Sequence, residues 1–451
     1  MELELFVTPG LGDNTYLIVS DGEAAIVDPQ RDVGRVLAAA EARRARIRLV
    51  LETHVHNDYV SGALELRAAT GVEIAGSAAA GYGFAYSALR EGDELELGGV
   101  RLRAMETPGH TPEHLSFLVS EGETPMAVFT GGSLMVGAAG RTDLLGPEMT
   151  DRLTRAQYGS LRRLAALPDH AQVLPTHGAG SFCASGTPEE SRTSTIAREL
   201  AENPALASLD LESFVEQQLS GLGAFPAYYA HMAPINRAGP KVYGGVPKPP
   251  ALDAENFAVR VGTAHVVDAR DSREFAASHV PGSLNVQLQD SFASYVGWLV
   301  PFNTPILLVL PEPESDAAEE ASSALFRIGF ERVVGYLDRG IDAWRSAGHE
   351  VRSYPVASVD DLLEALRDGS ISVLDVRQRT EWDAGHLEDS RHIFVGDLPG
   401  RLGELPPDRE TWTVCASGNR SGIAASILDR AGMPARLVAP GGVPQALRRR
   451  A

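Results

Sequence analysis

Cysteine is scarce in this chain: 451 residues contain two, Cys183 and Cys415. That count excludes a disulfide framework and fits a reducing compartment, so a cytoplasmic protein is expected and each thiol is read singly. Long apolar runs are also missing. No stretch approaches the roughly 18 apolar residues of a membrane-spanning helix. The opening "MELELFVTPG" carries acids where a signal peptide would carry bases, and its alternation reads as a strand. Positive charge is in deficit, with a formal net charge of −20. Such a surface repels nucleic acid and anionic membrane, so neither is expected as a partner. What remains is 44% hydrophobic and 22% charged, the composition of a globular chain long enough for two or three domains.

From the N-terminus to about residue 180, β-branched runs alternate with turns rich in Gly, Pro and Asp. "TYLIVS", "EAAIVDP", "RIRLVLETH", "VEIAGS", "VRLRAMETPG", "LSFLV" and "MAVFTGG" read as strands. "VGRVLAAAEARR" and "LTRAQYGSLRRLAAL" carry apolar residues at helical spacing. Residues 187–220 read as helical, opened by "TPEES" and interrupted at "ENPALA". "RAGPKVYGGVPKPPALD" reads as a linker. Beyond it one pattern occurs twice, in "AHVVDARDSREFAASHVPGSLNV" and "ISVLDVRQRTEWDAGHLEDSRHI". Each copy runs strand, Asp-x-Arg, Glu-aromatic, helix turn, His, strand. This predicts a tandem repeat of small α/β domains meeting near "RSYPVAS".

In the second copy a β-rich run ends at Cys415, followed by the loop Ala416, Ser417, Gly418, Asn419, Arg420 and a helix from about Ser421. A cysteine at the carboxyl end of a strand in an open α/β sheet sits where such sheets bind ligands. Loop N–H groups, a helix N-terminus and the Arg420 charge all favour thiolate there. This loop, with Asp375, Arg377, Glu381 and His386, resembles the rhodanese family. The resemblance implies catalysis by Cys415 and Arg420, a substrate loop of Ala416, Ser417, Gly418, Asn419 and Ser421, and sulfur carried as a persulfide. The first copy has no cysteine at this place and carries Glu312, Glu314 and Asp316 instead. It is expected to be catalytically silent, with Asp268, Arg270 and His279 supporting the fold.

In the N-terminal region His54, His56, Asp58, His110 and His177 lie at predicted strand ends beside Gly and Pro turns, which suggests metal ligands. His114 reads as structural, and His170 and His231 as surface or structural residues. With "GRTDLLG" and "HMAPINRAGP", these residues resemble the metallo-β-lactamase fold in its persulfide dioxygenase branch, including members fused to rhodanese domains. The resemblance implies an αββα sandwich (1–236), a linker (237–254), a silent rhodanese-like domain (255–352) and a rhodanese domain with Cys415 (356–451). It also implies a small thiol or persulfide as partner, and a homodimer.

In that branch the resemblance places iron on His54, His110 and a carboxylate, but Gly132 stands at the carboxylate position. A family histidine position is held by Tyr59. Two outcomes stay open: one weakly bound iron or zinc ion, with His54, His56 and His110 as the zinc set, or no metal. Gly132→Asp is expected to raise iron affinity. Three functions follow for comparison: sulfane-sulfur transfer through Cys415, metal-dependent hydrolysis of a thioester or lactone, and a non-catalytic binding or regulatory role. Cys183, with no basic neighbour in sequence, is expected to be unreactive.

Overall fold

The strand Asp13–Ser20 shows how the first half is built. Tyr16 and Ile18 join one apolar cluster, while Leu17 and Val19 join another on the opposite face. Alternate residues point to opposite faces of a sheet, so a strand apolar on both faces must be covered twice. In the computed structural model, which describes residues 1–186, 189–207, 210–368, 371–388 and 390–450, that double cover is present. One sheet orders Glu2–Thr8, Asp13–Ser20, Glu23–Val27, Arg46–Leu51, Glu73–Ser77 and Ser87–Leu89. A second orders Ser194–Thr195, Gln172–Pro175, Thr124–Gly131, Leu115–Glu121, Val100–Glu106 and Glu94–Leu97. Tyr16, Ile18, Leu49 and Leu51 from the first meet Leu102, Phe117, Phe129 and Leu174 from the second. Helices Gly34–Ala42 and Ala63–Thr70 cover the outer face of the first sheet through Val36 and Leu66. Helix Pro147–Ala165 covers the second through Leu161 and Leu164. The layers are helix, sheet, sheet, helix.

The predicted strands and the two predicted helices are all found. The expected helical stretch 187–220 contains Ile196–Glu202, a short 3-10 turn at Pro204–Leu206, and Leu211–Ser220. Its proposed opening, Thr187 and Pro188, lies outside the described residues. Helix Tyr229–Ala238 was not anticipated, because Pro234 lies inside it and reads as a breaker. Residues 239–250 form neither helix nor strand, yet part of this segment is tied down. Tyr243 and Gly244 N–H groups donate to the Glu65 carboxylate at 2.8 and 2.9 Å. No helix among the described residues is long and apolar enough to cross a membrane.

The chain divides into two units: Met1–Val246 with Phe326–Gly329, and Pro247–Leu325 with the chain from Phe330 onward. The second unit holds two five-stranded sheets of the same order. In one, Ala251–Leu252, Val333–Leu337, Ile306–Val309, His265–Asp268 and Leu284–Asn285 lie side by side. In the other the sequence is Val356–Ala357, Ala435–Val438, Thr411–Val414, Ser372–Asp375 and Ser390–His392. All pairings are parallel. The repeated motif does the same work twice. Arg270 Nε donates to Asp268 Oδ1 at 2.9 Å and Arg270 Nη2 to the Ser278 carbonyl at 2.9 Å. Arg377 does likewise with Asp375 at 2.9 Å and the Gly385 carbonyl at 2.8 Å. His279 stacks on Phe275 at 3.9 Å, and His386 on Trp382 at 3.8 Å. All four tryptophans, Trp298, Trp344, Trp382 and Trp412, belong to this unit.

Because Asp268 is fully buried against Arg270, Asp268→Ala leaves an uncompensated buried cation. Breaking such a pair costs about 3–5 kcal/mol. Urea denaturation followed by circular dichroism should show a loss of that size; a loss comparable to that of a surface substitution would contradict this account.

Candidate functional site

Two separate groups of side chains gather chemistry, one in each unit. In the second unit, strand Thr411–Val414 delivers Cys415 to the foot of helix Asn419–Arg430. Gly418 takes φ +118° to let the loop close on the sulfur. Its N–H donates to Cys415 Sγ at 3.1 Å. The thiol lies 3.5 Å from Ser421 Oγ, whose own hydroxyl donates to the Gly418 carbonyl at 2.9 Å. Arg420 is not directed at the sulfur alone. Its guanidinium grips Glu381 with both outer nitrogens, one contact at 2.8 Å. Sequence reading counted the positive potential of Arg420 toward the thiolate; the structure pairs that charge with a carboxylate. Burial works against charge on Glu381, but the hydrogen bond and charge of Arg420 hold its carboxyl below the usual range.

The first repeat reaches this loop. Asn419 Nδ2 donates to Gln289 Oε1 and to Ser291 Oγ, each at 3.3 Å. Tyr295, on helix Phe292–Leu299, lies in the field of Arg420, Cys415 and Glu381, and burial pushes its hydroxyl up to about 12. Sequence reasoning missed these residues, since nothing in their own neighbourhood marks them. In the first repeat, Leu310 follows strand Ile306–Val309 as Cys415 follows its own strand, and it is buried.

In the first unit, His54, His56, Asp58, His110 and His177 all come together, each no more than 1% exposed. They sit where strands end: His54 after Arg46–Leu51, His110 after Val100–Glu106, His177 after Gln172–Pro175. The ligand atoms of His54, His110 and His177 lie within 4.8 Å of one another, and His56, Asp58 and His177 form a second such group. A His/Asp cluster that could hold a metal is therefore present. Each of the first three rings is anchored through Nδ1. His54 Nδ1 is 2.8 Å from Thr53 Oγ1, which itself donates to Asp28 at 2.7 Å. His110 Nδ1 donates to the Arg141 carbonyl at 2.8 Å, and His177 Nδ1 meets Asp13 at 2.8 Å. These bonds leave the Nε2 lone pairs of His54 and His110 available. Burial, with the neighbouring histidines, lowers both, His110 to about 3. Burial also opposes charge on His177, but Asp58 and Asp13 outweigh it and hold that ring at about 10.

His56 is held on its Nε2 side. Its Nε2 lies 3.1 Å from Glu52, 3.3 Å from Asp28 and 3.0 Å from the Tyr59 hydroxyl, and Tyr59 stacks on the ring at 4.3 Å. His56 stays beside His54, their ring centroids 4.2 Å apart, and groups with Asp28 and His54 as well as with Asp58 and His177, while the group that includes His110 is completed by His54 and His177. His114 is structural, as expected: its Nε2 accepts the Gly132 N–H at 2.9 Å. Sequence reasoning also missed Asp13, Asp28, Glu52 and Thr53; for Glu52 and Thr53 the available signal was a polar residue at a strand end beside His54. Cys183 is fully buried near Tyr229, and burial with Asp58 and Asp13 pushes its thiol well up. Arg141 lies close to it in space, though not in sequence.

The family described as the metallo-beta-lactamase superfamily matches residues 8–177, and the rhodanese-like domain matches residues 253–347 and 358–445. A hydroxyacylglutathione hydrolase from Cereibacter sphaeroides (strain ATCC 17029 / ATH 2.4.9) is 37% identical over 182 residues, covering 39% of this chain and 67% of that protein. Among solved structures, a metallo-beta-lactamase from Staphylococcus aureus subsp. aureus COL is 28% identical with TM-score 0.67, covering 74% of this chain and 98% of that one. ETHE1 from Myxococcus xanthus is 30% identical with TM-score 0.46, covering 53% of this chain and 99% of that one. The chain belongs to the metallo-beta-lactamase superfamily, and its fold continues into rhodanese-like domains.

The iron site that the resemblance implies, His54 and His110 with a carboxylate at position 132, does not fit these residues. Gly132 supplies no carboxylate, and a Cβ there would fall 2.2 Å from His110 Cδ2. The imidazole fills the space the carboxylate needs, and its Nδ1 is anchored. The expectation that Gly132→Asp raises iron affinity is corrected on this ground. The substitution should instead destabilise the protein by about 1–3 kcal/mol through overpacking, with no gain in bound iron; a stable variant that takes up iron would refute this. A second outcome concerns Glu381. A carboxylate held low in the folded state stabilises above its unfolded value, about 4.3, and that contribution is lost as pH falls through the folded value. Glu381→Gln should therefore lower Tm at pH 7, with the difference from wild type vanishing in strong acid.

Proposed function

We propose that the protein transfers sulfane sulfur through a persulfide on Cys415. The observation that carries this reading is the sulfur's place: at the end of a parallel strand, under the N-terminus of a twelve-residue helix, with the Gly418 N–H donating to it. Partial positive charge at a helix N-terminus favours an anion at that point. The Cys415 thiolate attacks the outer sulfur of thiosulfate or of a thiol persulfide. The sulfur–sulfur bond of the donor breaks, and sulfite or thiolate leaves with the electron pair. Cys415 then carries the sulfur as a persulfide anion. An acceptor thiolate attacks that terminal sulfur and releases the Cys415 thiolate. Asn419, held by Gln289 and Ser291, and Arg420, held by Glu381, fix the loop around the sulfur. The exchange partner is a small thiol or its persulfide, and the working form is a cytoplasmic homodimer.

On this reading the first domain is a persulfide dioxygenase-like domain that has lost its iron triad at Gly132. A hydrolytic role is what the name of the hydroxyacylglutathione hydrolase relative would suggest. Against it, the second metal position of this fold would need ligands where Tyr59 and Gly132 stand. The histidine cluster also adjoins a cavity of only about 10 Å³, beside Glu52, His54, His56, Tyr82 and Phe84, room for about one water.

Cys415→Ser should abolish sulfur transfer from thiosulfate, while Cys183→Ser keeps the wild-type rate and the persulfide adduct in intact-protein mass spectra. Arg420→Ala should slow transfer without abolishing it. Full-rate transfer by Cys415→Ser, or an adduct confined to Cys183, would overturn the reading.

A further inference from the structure

We infer that Tyr295 of the first repeat is a substrate-contacting residue of the Cys415 site, where its hydroxyl donates a hydrogen bond to the group that leaves the sulfur donor. This role presupposes the sulfur transfer through Cys415 proposed above. Ser291, which caps helix Phe292–Leu299, is spaced four residues from Tyr295 and seven from Trp298. Residues so spaced share one helix face. That face meets the second repeat at both ends. Ser291 Oγ accepts from Asn419, the residue before Arg420, at 3.3 Å. Trp298 packs edge-on to Phe394, with ring centroids 4.8 Å apart, and a Cβ on Gly396 would strike its indole. Tyr295 lies between these two contacts and is 8% exposed.

The wall that carries Tyr295 is fixed against the Cys415 loop. The helix that follows the loop, Asn419–Arg430, packs on the first repeat so closely that a Cβ on Gly422 would collide with Ser272. One turn further, Ser426 Oγ accepts from the Asn285 N–H at 3.0 Å. Within this frame Arg420 grips Glu381 with both outer nitrogens, so its charge is already countered. The Tyr295 hydroxyl is uncommitted: it forms no hydrogen bond among the described residues. A buried tyrosine hydroxyl usually has a partner, and one without calls for a ligand. Burial, with Cys415 and Glu381 in range, keeps this hydroxyl protonated at neutral pH, so it is a donor and never a repelling anion. When the Cys415 thiolate bonds to the outer sulfur of thiosulfate, the sulfur–sulfur bond breaks and the electron pair goes to sulfite. An oxygen of that sulfite takes the Tyr295 hydrogen bond. No proton is transferred, and Cys415 keeps the persulfide.

The test mixes the full chain with thiosulfate and follows sulfite release in a single turnover, with the Cys415 adduct read by intact-protein mass spectrometry. A hydrogen bond to a charged group is worth enough that Tyr295→Phe should release sulfite roughly 10–100-fold more slowly. Its Tm should be no lower than that of the wild type, because the lost hydroxyl has no protein partner. Tyr354→Phe removes another buried, unpartnered hydroxyl of the same unit and should keep the wild-type rate. Wild-type sulfite release by Tyr295→Phe, a lost rate matched by a lost Tm, or an equal slowing in Tyr354→Phe would overturn the role of Tyr295. Each of these outcomes is read against a wild type that loads Cys415. A wild type that never loads it removes the sulfur-transfer reading and this role together.

Discussion

The first unit depends on one buried carboxylate. Asp28 follows strand Glu23–Val27 and takes φ +50°, a left-handed conformation that Asp tolerates better than most residues. Its oxygens accept from the Thr53 N–H at 2.8 Å, from the Thr53 hydroxyl at 2.7 Å and from the Thr176 hydroxyl. Thr53 closes a neighbouring strand of the same sheet, and Thr176 closes a strand of the facing sheet. One carboxylate therefore joins three strand ends across the sandwich. Burial opposes its charge, but His56 and these donors keep it below the usual range. The register of His54 and His177 follows from this, since each is the residue next to a threonine that Asp28 holds.

Much of this architecture is visible in the sequence, for reasons that differ by region. The repeat could be read because Asp-x-Arg and the later histidine each make contacts within a few residues: Arg270 to Asp268, His279 to Phe275, and the same pairs in the second copy. The histidine cluster could be read because its members sit at strand ends. Its wiring could not. The anchor of His177 is Asp13, far away in sequence, and the close packing of His110 on Gly132 is an outcome that spacing does not encode. Helix Tyr229–Ala238 was hidden by Pro234. The contribution of Gln289, Ser291 and Tyr295 to the Cys415 loop was hidden because the contact joins two repeats more than a hundred residues apart in sequence.

The two repeats share what folds them and differ at the thiol. Both copies keep the buried Asp–Arg pair, the stacked histidine and the five-strand order, which are needed to fold. What differs is the residue after one strand: Leu310 in one copy, Cys415 in the other. Both side chains are buried. The copy without the thiol has nonetheless kept side chains that touch the loop of the other.

The distribution of tryptophan gives the two units separate optical labels. Trp298, Trp344, Trp382 and Trp412 lie in the second unit, and the first has tyrosine and phenylalanine alone. Emission excited at the red edge of protein absorption thus comes from the rhodanese-like repeats. Changes that melt only the first unit are silent in that channel and are seen instead by probes of secondary structure. A mismatch between the two signals during unfolding would report each unit's stability separately in the intact chain.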